Sequence, residues 1–415
     1  MRKFTRLSIA LACAVVLLLG NMTARAGETE VTFGFMTSLS GTFAGVGETQ
    51  RKAYIYAVER QNELGGLDMP WGKVKINQII ADDEAKLDIG VQRFRDMVQK
   101  GAIGVTGGIW NPLSAVLNEE AKIEPMMYTI GYVPAIDIFR KDVPADCMFT
   151  AVYSPWTLGY LCGQAAIQEL GKKKLYYVER SDSWGQTIKV GLEQACKDFG
   201  GEIVGVSSVP LGTSEYSAVV NLALQSGADA FVTSMFGGDA IANIKQAGDM
   251  GLLDKAVIIN CSITNVVAEG LPPAALENLY GIAYFYWDMS TAAKSDAAAR
   301  VKEFAEGYLK RWGEQPDAMS GSVYVGMETM FRGAEKAGSF DPLKVAEVLL
   351  KEPIETIKGT TYFRKDHQIV VDEACFLVRG KGPSERNPNI PNDLFEIVKT
   401  YGGPNILPSL EYMGY

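Results

Sequence analysis

The sequence predicts an α/β fold of two doubly wound parallel-sheet lobes. Three observations predict it: short apolar runs alternate with segments of helical period from Val31 to about Tyr286, the alternation comes in two sets, and 415 residues suffice for about two domains of ordinary size.

The first set opens with Val31-Thr32-Phe33-Gly34-Phe35-Met36, an apolar run of strand length. A helix follows near Glu48 to Leu64, where Ala53, Tyr56, Ala57 and Arg60 recur at helical spacing and Gly65-Gly66 ends the pattern. Val74 to Ala81 is the next strand and Lys86 to Gln99 the next helix. Ile103 to Thr106 leads to a helix after Pro112, and Met126 to Ile130 is the fourth strand. The second set begins at Lys174 to Val178 and its helix at Trp184 to Phe199. Ile203 to Val209 precedes a helix at Ser217 to Gln225, Ala230 to Ser234 precedes one at Asp239 to Met250, and Val257 to Asn260 is a further strand. Beyond Trp287 come helices at Ala293 to Trp312, Met319 to Ala337 and Pro342 to Lys351, then a strand-rich tail from Thr360 to Val398. A chain that builds two sheets and then adds helices before a β tail is expected to cross between lobes more than once. Pro383 to Pro391 reads as a surface insertion.

The first residues read as a cleaved leader. Met1 to Arg6 is basic, Leu7 to Gly20 is apolar, and Ala24-Arg25-Ala26 offers small residues to a signal peptidase, so the mature chain is expected to begin near Gly27. The apolar run falls short of the ~20 residues that span a bilayer. Cys13 lies inside that run after Ala10-Leu11-Ala12, unlike a lipoprotein cysteine. An exported protein in the periplasm is the expectation.

Without Arg2, Lys3, Arg6 and Arg25 the net charge of −9 becomes −13, and no basic tract remains to bind nucleic acid. The mature cysteines, Cys147, Cys162, Cys196, Cys261 and Cys375, show no metal or redox spacing, and no pairing among them is assigned. His367 is the single histidine, which argues against histidine zinc sites and Ser/His/Asp triads; no Gly-x-Ser-x-Gly elbow is present. It sits in the polar run Phe363 to Gln368 and reads as a solvated turn residue. Neither catalytic residues, a metal nor a cofactor is expected.

Several runs carry a resemblance. Gly34-Phe35-Met36-Thr37-Ser38-Leu39-Ser40-Gly41 with Gly47, the helix end Asn62-Glu63-Leu64-Gly65-Gly66, and Asp82-Asp83 are similar to the opening of type I periplasmic binding proteins of branched-chain amino-acid importers. Ser183-Trp184-Gly185-Gln186, Phe199-Gly200-Gly201, Gly227-Ala228-Asp229-Ala230 and Lys245-Gln246-Ala247-Gly248 with Gly251-Leu252 follow in the family's order. The resemblance implies two lobes joined by three crossovers, closing on a small molecule and handing it to a membrane permease with its ATPase. Residues 27–150 with 288–368 would form one lobe, and 151–287 with 369–415 the other.

In doubly wound sheets ligands lie outside the carboxyl ends of the strands. The resemblance places the ligand carboxylate near Trp110-Asn111 and near Ile130-Gly131-Tyr132. Asn111-Pro112 is a strong helix start whose first N–H groups favour an anion or carbonyl oxygen, and Asn111 is read both as a cap and as a ligand contact. In the second lobe the family's two aromatic positions and its ammonium-binding acid fall on Trp184, Phe236 and Ser262. Ser262 departs from the pattern, since a serine does not offset the cost of a buried ammonium ion. Phe43 and Tyr153 complete the candidate lining, and Trp184→Ala is expected to weaken binding at least roughly tenfold in a folded protein. Asp239 is read as the cap of its own helix, and Asp82 and Asp83 as structural. The expected ligand is an apolar or aromatic carboxylate, an amino acid or an amide. The alternatives are a ligand-sensing receptor with a signalling partner and, less favoured, an exported enzyme.

Overall fold

The strand and helix periods resolve into two large sheets in the computed structural model, which describes residues 27–131, 134, 136–289 and 297–415. The expected leader, residues 1–26, lies outside the described residues. The first sheet is built from β1 (Glu30–Thr37), β2 (Leu67–Met69), β3 (Gly72–Asp82), β4 (Ala102–Gly107), β5 (Met127–Ile130) and β6 (Met148–Thr150), in the order β2-β3-β1-β4-β5-β6. All its pairings are parallel except β2 with β3. Helices α1 (Ala44–Glu63), α2 (Leu87–Gln99) and α3 (Asn111–Ile123) connect its strands.

The second sheet has the order β16-β15-β11-β10-β9-β7-β8. Its parallel part comprises β7 (Lys174–Arg180), β8 (Glu202–Val209), β9 (Ala230–Thr233), β10 (Val257–Asn260) and β11 (Leu279–Ala283). The helices between them are α5 (Ser183–Phe199), α6 (Ser217–Gln225), α7 (Gly237–Asp249), α8 (Asn265–Glu269) and α9 (Pro273–Glu277); α4 (Pro155–Gln164) precedes β7. The tail strands β15 (Cys375–Gly380) and β16 (Phe395–Tyr401) extend the sheet antiparallel from β11.

Periodicity did not reveal α4, and its packing explains why. It is apolar on nearly every side because it lies face to face with α5, and two glycines set the approach. A Cβ on Gly159 would fall 1.9 Å from the Ile188 carbonyl oxygen, and one on Gly191 would fall 1.9 Å from that of Trp156. A helix buried all round shows no amphipathic stripe.

Between β11 and β15 come α10 (Ala297–Trp312), α11 (Ala318–Ala337), α12 (Pro342–Lys351) and a small antiparallel sheet of β12 (Ile354–Thr356), β13 (Gly359–Phe363) and β14 (Ile369–Val370). Helix α11 returns to the first sheet: Phe331 meets Phe33 edge to face at 5.3 Å, and Arg332 donates to Gln61 at 2.8 Å. Asp317 caps α11 by accepting from the backbone N–H groups of Met319 and Ser320.

The chain therefore passes between the two sheets three times: after β6, after β11, and between β14 and β15. Buried polar groups tie these passages together. Tyr153, in the first, accepts at its hydroxyl from the Val371 N–H (3.0 Å) and donates to the Val371 carbonyl (3.3 Å) in the third. Tyr284, in the second, donates to the Tyr153 carbonyl at 2.7 Å. The Lys358 ammonium donates to the carbonyls of Tyr284 and Ala374, and burial pulls its pKa down to about 8.

His367 corrects its reading as a solvated turn residue. It is 8% exposed, stacks on Phe149 at 4.9 Å, and places Nδ1 2.7 Å from the Met148 carbonyl. Burial lowers its pKa, so it stays neutral near pH 7. The local sequence is polar because the turn itself is; the imidazole is covered by a strand distant in sequence.

Candidate functional site

The loops that leave the carboxyl ends of the two sheets meet each other. On the first sheet, β1 runs into Ser38 to Phe43, and this loop is held by the acids that follow β3. The Leu39 N–H donates to Asp82 Oδ1 at 2.9 Å, and the Ser38 hydroxyl donates to Asp83 Oδ1 at 2.5 Å. Burial pushes the Asp83 carboxyl up, while Ser38 and the Ala85 N–H pull it back. Both acids thus brace a loop. Helix α1 comes so near that a Cβ on Gly47 would lie 2.1 Å from the Ser38 carbonyl oxygen.

Two contacts join the lobes where these loops meet. The first is polar: Asn111, at the start of α3 and 1% exposed, donates from Nδ2 to the Ser183 hydroxyl at the start of α5, at 2.6 Å. Its Oδ1 is buried with no hydrogen-bond partner. The expected cap is absent, because Trp110 occupies the cap position and no side chain caps α3. The second contact is apolar. Phe43 and Phe236, 1% and 2% exposed, lie with ring centroids 6.4 Å apart and planes tilted by 47°. Beside them, Gly237 and Gly45 face the opposite lobe at ordinary van der Waals range: added Cβ atoms would lie 3.5 Å from the Thr42 carbonyl oxygen and 3.4 Å from Val266 Cγ1.

Trp184 lies under this seam rather than lining it openly. It is 1% exposed, and its Nε1 donates to the Ser234 carbonyl at 2.9 Å. Asp182 caps α5 beneath it by accepting from the N–H groups of Trp184 and Gly185. Ser262, 2% exposed, donates its N–H to Asn260 Oδ1 at 3.1 Å at the end of β10.

Other expected contacts are committed elsewhere. The Ile130 carbonyl accepts from Ala151, and the Gly131 N–H donates to the Gly107 carbonyl at 2.8 Å, so these two backbone groups extend the sheet. Tyr132 lies outside the described residues. Tyr153 is a fastener of the crossovers, its hydroxyl taken by Val371 and its carbonyl by Tyr284. Trp110 is half-buried at the start of α3, on the cleft side of the first sheet.

Asp239 is not the cap it was expected to be. Phe236 holds that position, and Asp239, in the first turn of α7, accepts the Gly212 N–H at 2.7 Å. Burial raises its carboxyl, with the Gly212 N–H and the charge of Arg180 opposing. Arg180 itself was missed by sequence reasoning. It ends β7, is 2% exposed, and lies with its guanidinium carbon 5.4 Å from the Trp184 ring centroid. The available signal was a charged pair, Glu179-Arg180, closing an otherwise apolar strand.

Two shallow depressions, of about 250 and 320 Å³, are lined by Ile79 to Lys100 on one lobe and by Leu253 to Arg379 on the other. Neither includes any residue of the seam. Among the described residues no group of histidine, cysteine and carboxylate side chains is arranged to hold a metal, and no helix is long and apolar enough to cross a membrane. Among the described residues, the five cysteines are free and buried.

The periplasmic binding protein family model matches residues 30–384. A Leu/Ile/Val-binding protein homologue of Brucella melitensis is 24% identical over 346 residues, covering 81% of this chain and 88% of its own. An amino acid ABC transporter substrate-binding protein from Pseudomonas fluorescens superposes with a TM-score of 0.80 at 20% identity, over 93% of this chain and 98% of its own. An ABC transporter solute-binding protein from R. palustris, solved in complex with benzoate, gives a TM-score of 0.74 at 17% identity, over 91% and 100%. Two sheets threaded by three passages, with loops meeting at their carboxyl ends, have the architecture of these neighbours, and the chain belongs to the periplasmic binding protein family.

Proposed function

We propose that this protein is the extracytoplasmic substrate-binding component of an ABC importer, which encloses a small ligand in the interlobe cleft and presents it to a membrane permease and its ATPase. The single observation that carries the reading is the seam itself. Asn111 and Ser183 bond across it, Phe43 faces Phe236 across it, and Asn111 Oδ1 is left without a partner there. A buried polar atom without a partner at the seam suits a ligand that brings its own hydrogen-bonding group.

In this reading one lobe comprises residues 27–150 with 288–368, the other 151–287 with 369–415, and residues 1–26 are removed on export. The ligand binds one lobe first, and closure brings Phe236 and the start of α5 over it. The ligand set is an apolar or aromatic carboxylate, an apolar amino acid, or an amide. The benzoate-bound and amino-acid-transporter neighbours span two of these classes.

Thermal shift and calorimetry on the mature protein test the proposal. Amino acids, aromatic carboxylates and small amides form the panel, and a ligand at about a hundred times its Kd is expected to stabilise by ~2.7 kcal/mol. No stabilisation from any class would contradict the proposal.

A further inference from the structure

We propose that Arg180 anchors the carboxylate of the ligand, so that the cleft selects a small aromatic or branched carboxylic acid carrying no α-ammonium group. The inference rests on the cleft being the ligand site.

Arg180 is almost fully enclosed, yet its guanidinium is only partly satisfied. Nε lies 2.8 Å from Asp182 Oδ2 without the alignment of a hydrogen bond, and Nη2 has no partner. A guanidinium in such a place is expensive unless its N–H groups are taken up, and its planar fork fits a carboxylate through two parallel bonds. The same neighbourhood holds further unmatched groups from other elements. Asn243 on α7 is fully buried with neither amide atom bonded, and the buried Tyr216 hydroxyl, in the loop after β8, is also without a partner. Asp239 connects them: it stands one helical turn from Asn243 and acts electrostatically on both Arg180 and Tyr216.

Arg180 is paired with one local acid, Asp182, yet its Nη2 stays open. Asp182 takes the N–H groups of Trp184 and Gly185 at the positive end of α5, and Asp239 takes the N–H of Gly212. Both carboxylates therefore have backbone donors of their own. At the end of β10, where the family resemblance implies an ammonium-binding acid, stands Ser262. A cation kept with an open N–H, aromatic rings at Trp184 and Phe236, and a hydroxyl in place of an acid together favour a ligand that is anionic at one end and apolar at the other.

The test is calorimetry with benzoate, 3-methylbutanoate, benzamide and isoleucine on the wild type, Arg180→Gln and Arg180→Lys. The wild type is expected to bind one of the two simple acids, and benzoate at least roughly 100-fold tighter than benzamide; Arg180→Gln loses that preference and Arg180→Lys keeps part of it. Equal binding of benzoate and benzamide by the wild type overturns the proposal without any variant, which covers an Arg180→Gln protein that does not fold. A folded Arg180→Gln that binds the acid within threefold of the wild type overturns it too. Isoleucine binding with neither acid overturns the selection against an α-ammonium group and leaves the cleft as the ligand site. Binding of none of the four by the wild type overturns both.

Discussion

Replacing Trp184 by alanine is expected to lower the free energy of unfolding by about 3–5 kcal/mol, the range for truncating a buried large aromatic side chain. The sequence-level expectation was a loss of ligand affinity in an otherwise intact protein, but the environment of the ring predicts a larger structural effect. Trp184 is 1% exposed, donates to the Ser234 carbonyl, and carries the Arg180 guanidinium over its face. Truncation opens a cavity beneath the seam, leaves the Ser234 carbonyl without that donor, and withdraws the surface against which Arg180 is held. Urea denaturation of the unliganded wild type and variant measures the effect. A variant within about 1 kcal/mol of wild type would mean that Trp184 is not a packed wedge. Trp184→Phe separates the two roles, because it keeps most of the ring volume while losing the bond to Ser234.

Tyr153→Phe is expected to cost about 2–4 kcal/mol, large for the loss of one oxygen atom. That hydroxyl serves both the N–H and the carbonyl of Val371, and removing it leaves two buried backbone groups unpaired, each at about 1–3 kcal/mol. Burial also raises the Tyr153 phenol far above its ordinary value, so it remains protonated and able to donate at any physiological pH. Denaturant melts check the stability. The accompanying expectation is that ligand affinity changes by less than about tenfold, since the hydroxyl faces a crossover and not the seam. A stable variant that has lost binding would return Tyr153 to the ligand lining.

What the sequence revealed and what it concealed follow from the range of the interactions involved. The strands β1, β3, β4, β7, β8 and β10 and the helices between them were legible because alternation is a local pattern. Helix α4 was hidden because it is buried on nearly every side. Strand β6 was hidden because it is only three residues long, and β11 because Gly281 and Ala283 interrupt its strand-forming run. The crossovers were legible as an implication of family resemblance, but not the fastening of Tyr153 to Val371, Tyr284 to Tyr153 and Lys358 to Tyr284, pairs more than seventy residues apart in sequence. Asn111, Phe43 and Phe236, picked out because they lie in loops after strands, come to the seam between the lobes. Ile130 and Gly131 lie in the same kind of position, yet the Ile130 carbonyl and the Gly131 N–H are spent on extending the sheet. Asp239 looked like a cap from its position in the sequence, and the backbone placed the helix start two residues earlier. Arg180 escaped because a charged residue ending a strand ordinarily marks solvent, whereas here the loop after β8, α5 and α7 surround it.

The most direct test of the central claim, that the two lobes close on a ligand, is the distance between spin labels on opposite rims of the cleft. Lys86, where α2 begins, and Ser214, in the loop after β8, are both exposed, and the five cysteines of residues 27–415 are buried, so a Lys86→Cys/Ser214→Cys protein lacking residues 1–26 carries labels at those two positions alone. Adding the carboxylate that most stabilises the protein is expected to shift the distance distribution shorter by several ångströms, on the order of a hinge closure, and to narrow it. Saturating binding with an unchanged distribution would contradict closure of the cleft around the ligand.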